Sequence, residues 1–486
     1  MTRLSNATLQ ALPAVVARPG YDRSAVRTGI VHLGVGGFHR AHQAVFTDNC
    51  LRAGARDWAI AAASLRSTTT RDKLAPQDGL YTLALHEGDR QELRVVGSIG
   101  QVLVAPENPQ ALIAAMANPA VRIVSLTITE KGYGANVASG DLNLSDADIQ
   151  HDLAHPNQPR SALGIVTAAL QHRRKSGVSP FTLLSCDNLA GNGQVLHRVL
   201  TQFATFADRD FGHFVADSVA CPSCMVDRIV PATTDADRAM ISGHLGMQDA
   251  WPVLAEPFFQ WVIEDHFPLG RPEWERSGVE FTTDVAPYET MKLRLLNGAH
   301  STIAAFGRVA GFATVADSMA NPVVRAFVQA YWRQVGPTIA QGIDMAAYTE
   351  RLVGRFDNTS LNHKCAQIAT DASLKVPQRI VAPLRELLAA GRPAELLIFA
   401  LALWIRSCLG KDDAGRDLVL ADPPMLSWAE RPGLQAAPED VARAFCGLGS
   451  VFGDLGPSLI PAVTQVLATF KEHGVLAAAN LHLNRN

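Results

Sequence analysis

No stretch of this sequence is basic enough to follow a nucleic-acid backbone. Lysine and arginine are scattered and the net charge is −3, which argues against nucleic acid or an anionic membrane surface as partner. No apolar run is long enough to cross a bilayer. The longest, "LLIFALALWI" (Leu396–Ile405), falls well short of the roughly 20 residues a spanning helix needs. The cysteines are few, odd in number and irregularly spaced, at 50, 186, 221, 224, 365, 408 and 446. That argues against a disulfide framework and fits free thiols in a reducing cytoplasm. Cys221 and Cys224 form a C-x-x-C without a second ligand pair, so no metal site is expected. Repeats and low-complexity segments are also missing. The opening "MTRLSNATLQALPAVVARPG" has an apolar patch, but polar residues interrupt it, and it makes a poor signal peptide. The expectation is a soluble cytoplasmic protein.

What is present is material for a large core. Hydrophobic residues make up 48% of 486 positions and charged residues 18%, a globular composition and a length that favours two domains. Up to about residue 284, strand-like and helix-like runs alternate. "GIVHLGV" and "WAIAAASL" are strands separated by the helix "HRAHQAVFTDNCLRAG". "LRVVGSIGQVLVA" alternates as a β-ribbon would. "VRIVSLTIT" and "FTLLSCDN" are further strands, with helices between. Such alternation predicts a mostly parallel sheet covered by helices, a Rossmann-type α/β domain over 1–284. The rest, 285–486, reads as helices only. One of them, "NPVVRAFVQAYWRQVG", starts with Asn321 as N-cap and Pro322 as first helical residue. A small ligand is expected in a cleft between two such domains.

Two stretches carry chemistry. In "HLGVGGFHRAHQA", Gly34 and Gly36 follow a strand and open a helix, the context of a dinucleotide-binding turn. Gly34 permits the tight turn and Gly36 the approach of a pyrophosphate. The third glycine of that pattern is replaced by His39, and Gly37 is expected to supply some of the missing room. The second strand's end usually carries a carboxylate for the ribose hydroxyls. Here it reads "SLRSTTTRD", with Arg66 and no acid before Asp72. NADP is therefore possible beside NAD.

In "YETMKLRLLNGAHS", an ideal pitch puts Glu289, His300 and Asn297 at about 60°, 80° and 140° from Lys292. Four polar groups on one side of an otherwise apolar helix must be solvated, paired or functional. A desolvated lysine loses its charge more easily and can take an alcohol proton. An asparagine amide can donate to a developing alkoxide, and a histidine can orient a hydroxyl. Gly298 is expected to open space for a ligand. At strand ends, "TITEKGYG" offers Lys131 and "SCDNLAGNG" offers Asn188.

Taken together, "GVGGFHRAHQA", "VSLTITEKGY", "SCDN", "MVDRIVP", "EPFFQWVIED" and "MKLRLLNGAHS" resemble the polyol-specific long-chain dehydrogenases. This is the family of mannitol 2-dehydrogenase, fructuronate reductase and arabinitol dehydrogenase. The resemblance runs from about residue 18 to the C-terminus. It implies a metal-independent NAD(P)-dependent oxidoreductase with its active site between a Rossmann-type domain and a helical domain. By that resemblance Lys292 is the catalytic base, Asn188 and Asn297 polarise the reacting oxygen, His300 orients the substrate, and Glu289 moves the proton on. The family's cofactor turn reads G-x-G-G-F-H-R, so Gly34, Gly36, Gly37, Phe38 and His39 fall in the cofactor-binding segment; Arg66, from its place at the end of the second strand, is expected near the ribose, where it could receive a 2′-phosphate.

Mannitol 2-dehydrogenases tend to read "TEGGY" where this chain reads "TEKGY", and a lysine where it has Gln378-Arg379. Both departures resemble fructuronate reductase. Lys131 and Arg379 as extra cations suit a substrate bearing a carboxylate. The expected partner is thus a small sugar acid, D-mannonate or D-fructuronate, with mannitol or arabinitol as the alternative. A nucleotide-binding sensor without activity is a remoter reading. The protein is expected to be a monomer or a small homo-oligomer.

Overall fold

The computed structural model describes residues 1–484 apart from 89, 137–138, 362 and 429–430. The chain divides into two units, Met1–Ala286 and Pro287–Asn486.

The first unit holds eleven strands among the described residues: β1 Thr28–Leu33, β2 Ala59–Ser64, β3 Tyr81–Glu87, β4 Arg90–Val96, β5 Ile99–Val104, β6 Ile123–Leu126, β7 Thr182–Ser185, β8 Cys224–Asp227, β9 Val253–Ala255, β10 Gln260–Glu264 and β11 Glu280–Thr282. Five of them form a parallel sheet in the order β5-β2-β1-β6-β7. Its middle strands are buried on both faces, as the near-continuous apolar runs require. Strand order reverses between β1 and β6, which pair in register from Ile30↔Ile123 to Leu33↔Leu126. Ligands of such sheets bind beyond the carboxyl ends of the strands at this reversal. Two smaller sheets, β4-β3-β9 and β11-β10-β8, complete the unit.

Two local expectations are corrected. The alternating segment "LRVVGSIGQVLVA" is not a ribbon: β4 pairs with β3, and β5 takes the edge of the parallel sheet beside β2. A period of two identifies strands and leaves their partners open. Here the chain turns at Gly97, whose N–H donates to the buried Asp48 at 2.9 Å. The helix after the glycine turn is also broken. It runs Gly37–Ala41 and resumes at Gln43–Arg52, with His42 at φ −127°, ψ −102° between.

The second unit is helical, with one core. At its centre lies the helix Gly298–Ala310, packed against Pro322–Val335 and Glu395–Ser407. Asn321 caps the second of these through the amides of Val323 and Val324. The apolar run Leu396–Ile405 falls inside the third, where Leu397, Leu401, Leu403 and Ile405 are fully buried. The helix Gly456–His473 belongs to a stretch, Gly449–His473, that by length and composition alone could cross a membrane, against the expectation from apolar runs. It buries a stripe, Leu459, Val463, Leu467 and Phe470, in the same core, so its apolar residues serve packing.

Candidate functional site

In the first unit a groove of about 400 Å³ opens at the ends of β1, β2 and β6, lined by Gly34, Gly36, Ser64, Arg66, Thr129 and Lys131 among others. Gly34 has φ +94°, and a Cβ there would collide with the carbonyl oxygen of Thr127. Only glycine meets both conditions. Gly36 differs: a Cβ would find only the oxygen of Gly34 within 4 Å, at 3.8 Å. The bare backbone thus leaves open a cradle that a side chain would fill, which is what a dinucleotide's pyrophosphate needs. Ser64, Arg66 and Ser67 supply polar groups at the end of β2, with no carboxylate among them. The groove's acids, Asp146 and Asp148, arrive from a distant helix start.

His39 does not reach this groove. It is 1% exposed and stacked on His32 of β1, ring centroids 3.4 Å apart and planes 11° from parallel. The helix therefore leaves the strand across two stacked imidazoles instead of by glycine contact. Burial drives the His39 imidazole well below its ordinary pKa, and that of His32 down to about 3. Nδ1 of His32 lies 2.8 Å from Ser125 Oγ and Nε2 3.0 Å from Thr127 Oγ1. Gly37 does not supply missing room either, since a Cβ there would make ordinary contacts with Val230 and Val253 at 3.6 and 3.8 Å. Phe38 is half-buried and stacks on His42 at 4.7 Å. Lys131, expected at the substrate, lines the groove of the glycine turn.

Sequence reading missed the strain beside it. Thr129 has φ +65°, an outlier for a β-branched residue. Asp187, after β7, holds it there by accepting the amides of Ile128 at 2.9 Å and Thr129 at 3.0 Å, and the Tyr133 hydroxyl at 2.7 Å. Burial pushes the Asp187 carboxyl up, and these three hydrogen bonds oppose it. Asn188 comes next, exposed at the strand's end.

In the second unit the residues around Lys292 do not form one regular helix. Lys292–Asn297 is a π-helical segment, with the Gly298 amide donating to the oxygen of Leu293, five residues back. A turn of this kind contains one extra residue and rotates all later positions by about 100° against an ideal α-helix. From Lys292, Asn297 then falls at about 40°, His300 at about −20° and Glu289 at about 60°, a narrower arc than a regular helix gives. Lys292 and His300 are each 8% exposed, and Glu289 and Asn297 are half-buried.

His300 stacks on Phe356 at 4.9 Å and meets His363 edge-on at 4.9 Å. Burial, then His363, Arg355 and Arg379, hold its imidazole well below the usual range. It is therefore neutral near pH 7. Arg379 donates to Ser301 Oγ at 3.0 Å, and burial lowers its guanidinium to about 10. Among the described residues, none of the groups acting on His300 or Arg379 is a carboxylate. Ser301, Phe356 and His363 carried no signal in the sequence, because they gather here by tertiary packing.

Gly298 does not open space for a ligand. A Cβ on it would collide with the Tyr331 hydroxyl and stand 3.1 Å from the oxygen of Arg379. The helix lacks a side chain there so that these two can approach.

Two sequence families match the chain. One, described as a mannitol dehydrogenase Rossmann domain, covers residues 28–276, and the other, a mannitol dehydrogenase C-terminal domain, covers 284–471. A D-mannonate oxidoreductase of Escherichia coli is 40% identical over 94% of this chain and 95% of its own. A mannitol 2-dehydrogenase of Pyrenophora tritici-repentis is also 40% identical, over 90% of this chain and 78% of its own. The Pseudomonas fluorescens mannitol 2-dehydrogenase, solved as a ternary complex with NAD and D-mannitol, matches at TM-score 0.85 and 38% identity over all of both chains. A D-sorbitol dehydrogenase solved without substrate matches at TM-score 0.91 and 31% identity, over 98% of this chain and 100% of its own.

Proposed function

Because the chain belongs to the mannitol dehydrogenase family of oxidoreductases, we propose that it interconverts the secondary alcohol and ketone of a sugar acid with NAD, D-mannonate and D-fructuronate being the favoured pair. Overall identity does not discriminate, since the mannonate and mannitol relatives both stand at 40%. The observation that carries the acid reading is Arg379, fixed to Ser301 beside a neutral His300, with no carboxylate among the described residues acting on either. A guanidinium so placed suits a substrate carboxylate. Lys131, in the groove of the glycine turn, would add a second cation toward such a substrate.

NAD, when bound, supplies the hydride acceptor. Gly34, Gly36, Ser64 and Arg66 would hold it. In the oxidation direction Lys292 takes the hydroxyl proton of the carbinol, and Glu289, three residues earlier, carries that proton on. Asn297 and Asn188 donate amide hydrogens to the oxygen on which charge develops. His300, neutral, orients the hydroxyl by hydrogen bonding. The proposal makes the protein a soluble cytoplasmic enzyme, a monomer or small homo-oligomer, without nucleic-acid or membrane partners.

A second reading, mannitol or arabinitol oxidation, is favoured by the likeness to the mannitol complex. Appearance of reduced nicotinamide with mannonate, mannitol, sorbitol and arabinitol separates them. Mannonate should be the best substrate, a better neutral polyol supports the second reading, and no turnover with any would point to a sensor.

A further inference from the structure

The π-helical turn at Lys292–Asn297 has a cost in backbone hydrogen bonds, and two side chains of a neighbouring helix meet it. In a regular helix the oxygen of Arg294 would accept from the amide of Gly298. That amide is instead committed to Leu293. The oxygen of Arg294 lies 3.4 Å from the Tyr331 hydroxyl, and the oxygen of Leu295 accepts from the Trp332 indole N–H at 2.8 Å. Both side chains belong to the helix Pro322–Val335 and are almost fully buried, at 0% and 4% exposure.

A second π-helical segment, Pro377–Val381, packs on the first. The oxygen of Arg379 would be served in a regular helix by residue 383, which is Pro383 and has no N–H. It too faces the Tyr331 hydroxyl, at 3.5 Å. One hydroxyl therefore lies between two carbonyls that have each lost a helical donor, one from each irregular segment. Trp332 reaches further: its ring lies over Phe356 at 6.2 Å, and Phe356 lies over His300 at 4.9 Å.

We propose that Tyr331 and Trp332 are positioning residues that hold the extra-residue turn between Lys292 and Asn297, and with it the convergence of Lys292, Asn297 and His300. Without the indole N–H, the oxygen of Leu295 loses the side-chain donor that ties this turn to the helix Pro322–Val335. The segment then has reason to relax toward regular helix, swinging Lys292 and Glu289 away from Asn297 and His300. The inference rests on the reading that makes Lys292 the base.

Trp332→Phe keeps an aromatic ring and removes the donor. The expected result is a kcat lower by about tenfold to a hundredfold, the upper figure being the scale of a 1 Å misplacement, with substrate KM changed far less and NADH affinity, read by fluorescence, unchanged. If Trp332→Phe does not fold, replacing the indole at 332 by benzothiophene keeps shape and volume and removes only the N–H, with the same kinetic split expected. Wild-type kcat in the variant that folds overturns the proposal, as does a lowered melting temperature with kcat intact. Lys292→Ala is measured in parallel. If it is inactive while the Trp332 variant turns over normally, only this inference fails. If Lys292→Ala turns over normally, the catalytic reading beneath it has failed.

Discussion

Substituting Gly298 distinguishes a ligand space from a packing contact. Glycine inside a helix is less favourable than alanine by about 1 kcal/mol. Were the space beside Gly298 empty, Gly298→Ala would therefore stabilise the protein by about that much. The structure opposes this. The new methyl would overlap the hydroxyl of Tyr331, which is fully buried and has no room to swing aside, and would press on the Arg379 carbonyl at 3.1 Å. Overpacking of this kind costs about 1–3 kcal/mol. The net effect should be between neutral and about 2 kcal/mol destabilising, the reverse of the propensity sign. For a unit of this size 1 kcal/mol moves the melting temperature by roughly 2–4 °C. Tyr331→Phe removes the overlapping atom, so Gly298→Ala should be better tolerated in that background. The coupling should be about 1 kcal/mol or more in a double-mutant cycle. A rise in melting temperature for the single variant, or no coupling, would refute the contact and restore the ligand-space reading. Turnover of Gly298→Ala should fall as well, because the displaced carbonyl belongs to the segment that carries Arg379.

The first unit carries two further expected outcomes. Arg66 lines the groove just after β2, between Ser64 and Ser67 and with no carboxylate beside it there. Arg66→Asp should raise the ratio of kcat/KM for NAD over NADP by about tenfold, the worth of one charge-assisted hydrogen bond. An unchanged ratio would mean that Arg66 points away from the ribose. Buried histidines should make the protein acid-sensitive. His32 has a folded pKa of about 3 against roughly 6.5 unfolded, so only the unfolded chain takes up its proton as pH falls below 6.5. Stability is lost across that window, by about 2 kcal/mol between pH 7 and pH 5 from His32 alone. His39 and His300 act in the same direction. A urea midpoint as high at pH 5 as at pH 7 would contradict the buried neutral pair.

Local pattern made the architecture legible. "GIVHLGV" and "VRIVSL" are buried strands because their apolar residues run without alternation, and Asn321-Pro322 announces a helix start. Partners were less legible, as the split of β4 from β5 shows, because pairing is decided by what approaches from elsewhere in the chain. The glycine turn was half legible. Gly34 and Gly36 do what their spacing suggests, but His39 turned inward because its stacking partner, His32, points to the same side of β1. The chemical helix was recognisable from Lys292, Asn297 and His300, yet its geometry was not. A 3.6-residue pattern does not register one inserted residue, and the donors that stabilise the insertion, Tyr331 and Trp332, lie more than thirty positions on. The one local trace was Pro383, four residues after Arg379. Thr129 gave no sign of strain, since Asp187, which holds it, is 58 positions away.

The proposed preference of this family member for an acid substrate rests on Arg379. The direct test is kcat/KM for D-mannonate and D-mannitol, measured side by side with NAD in the wild type and in Arg379→Met. A charge-assisted hydrogen bond to a carboxylate is worth about 1.5–3 kcal/mol, so mannonate should be preferred by about tenfold or more in the wild type. Arg379→Met should erode that preference and spare the slower mannitol reaction. Equal or better efficiency with mannitol in the wild type, or an undiminished mannonate preference without Arg379, would contradict the account.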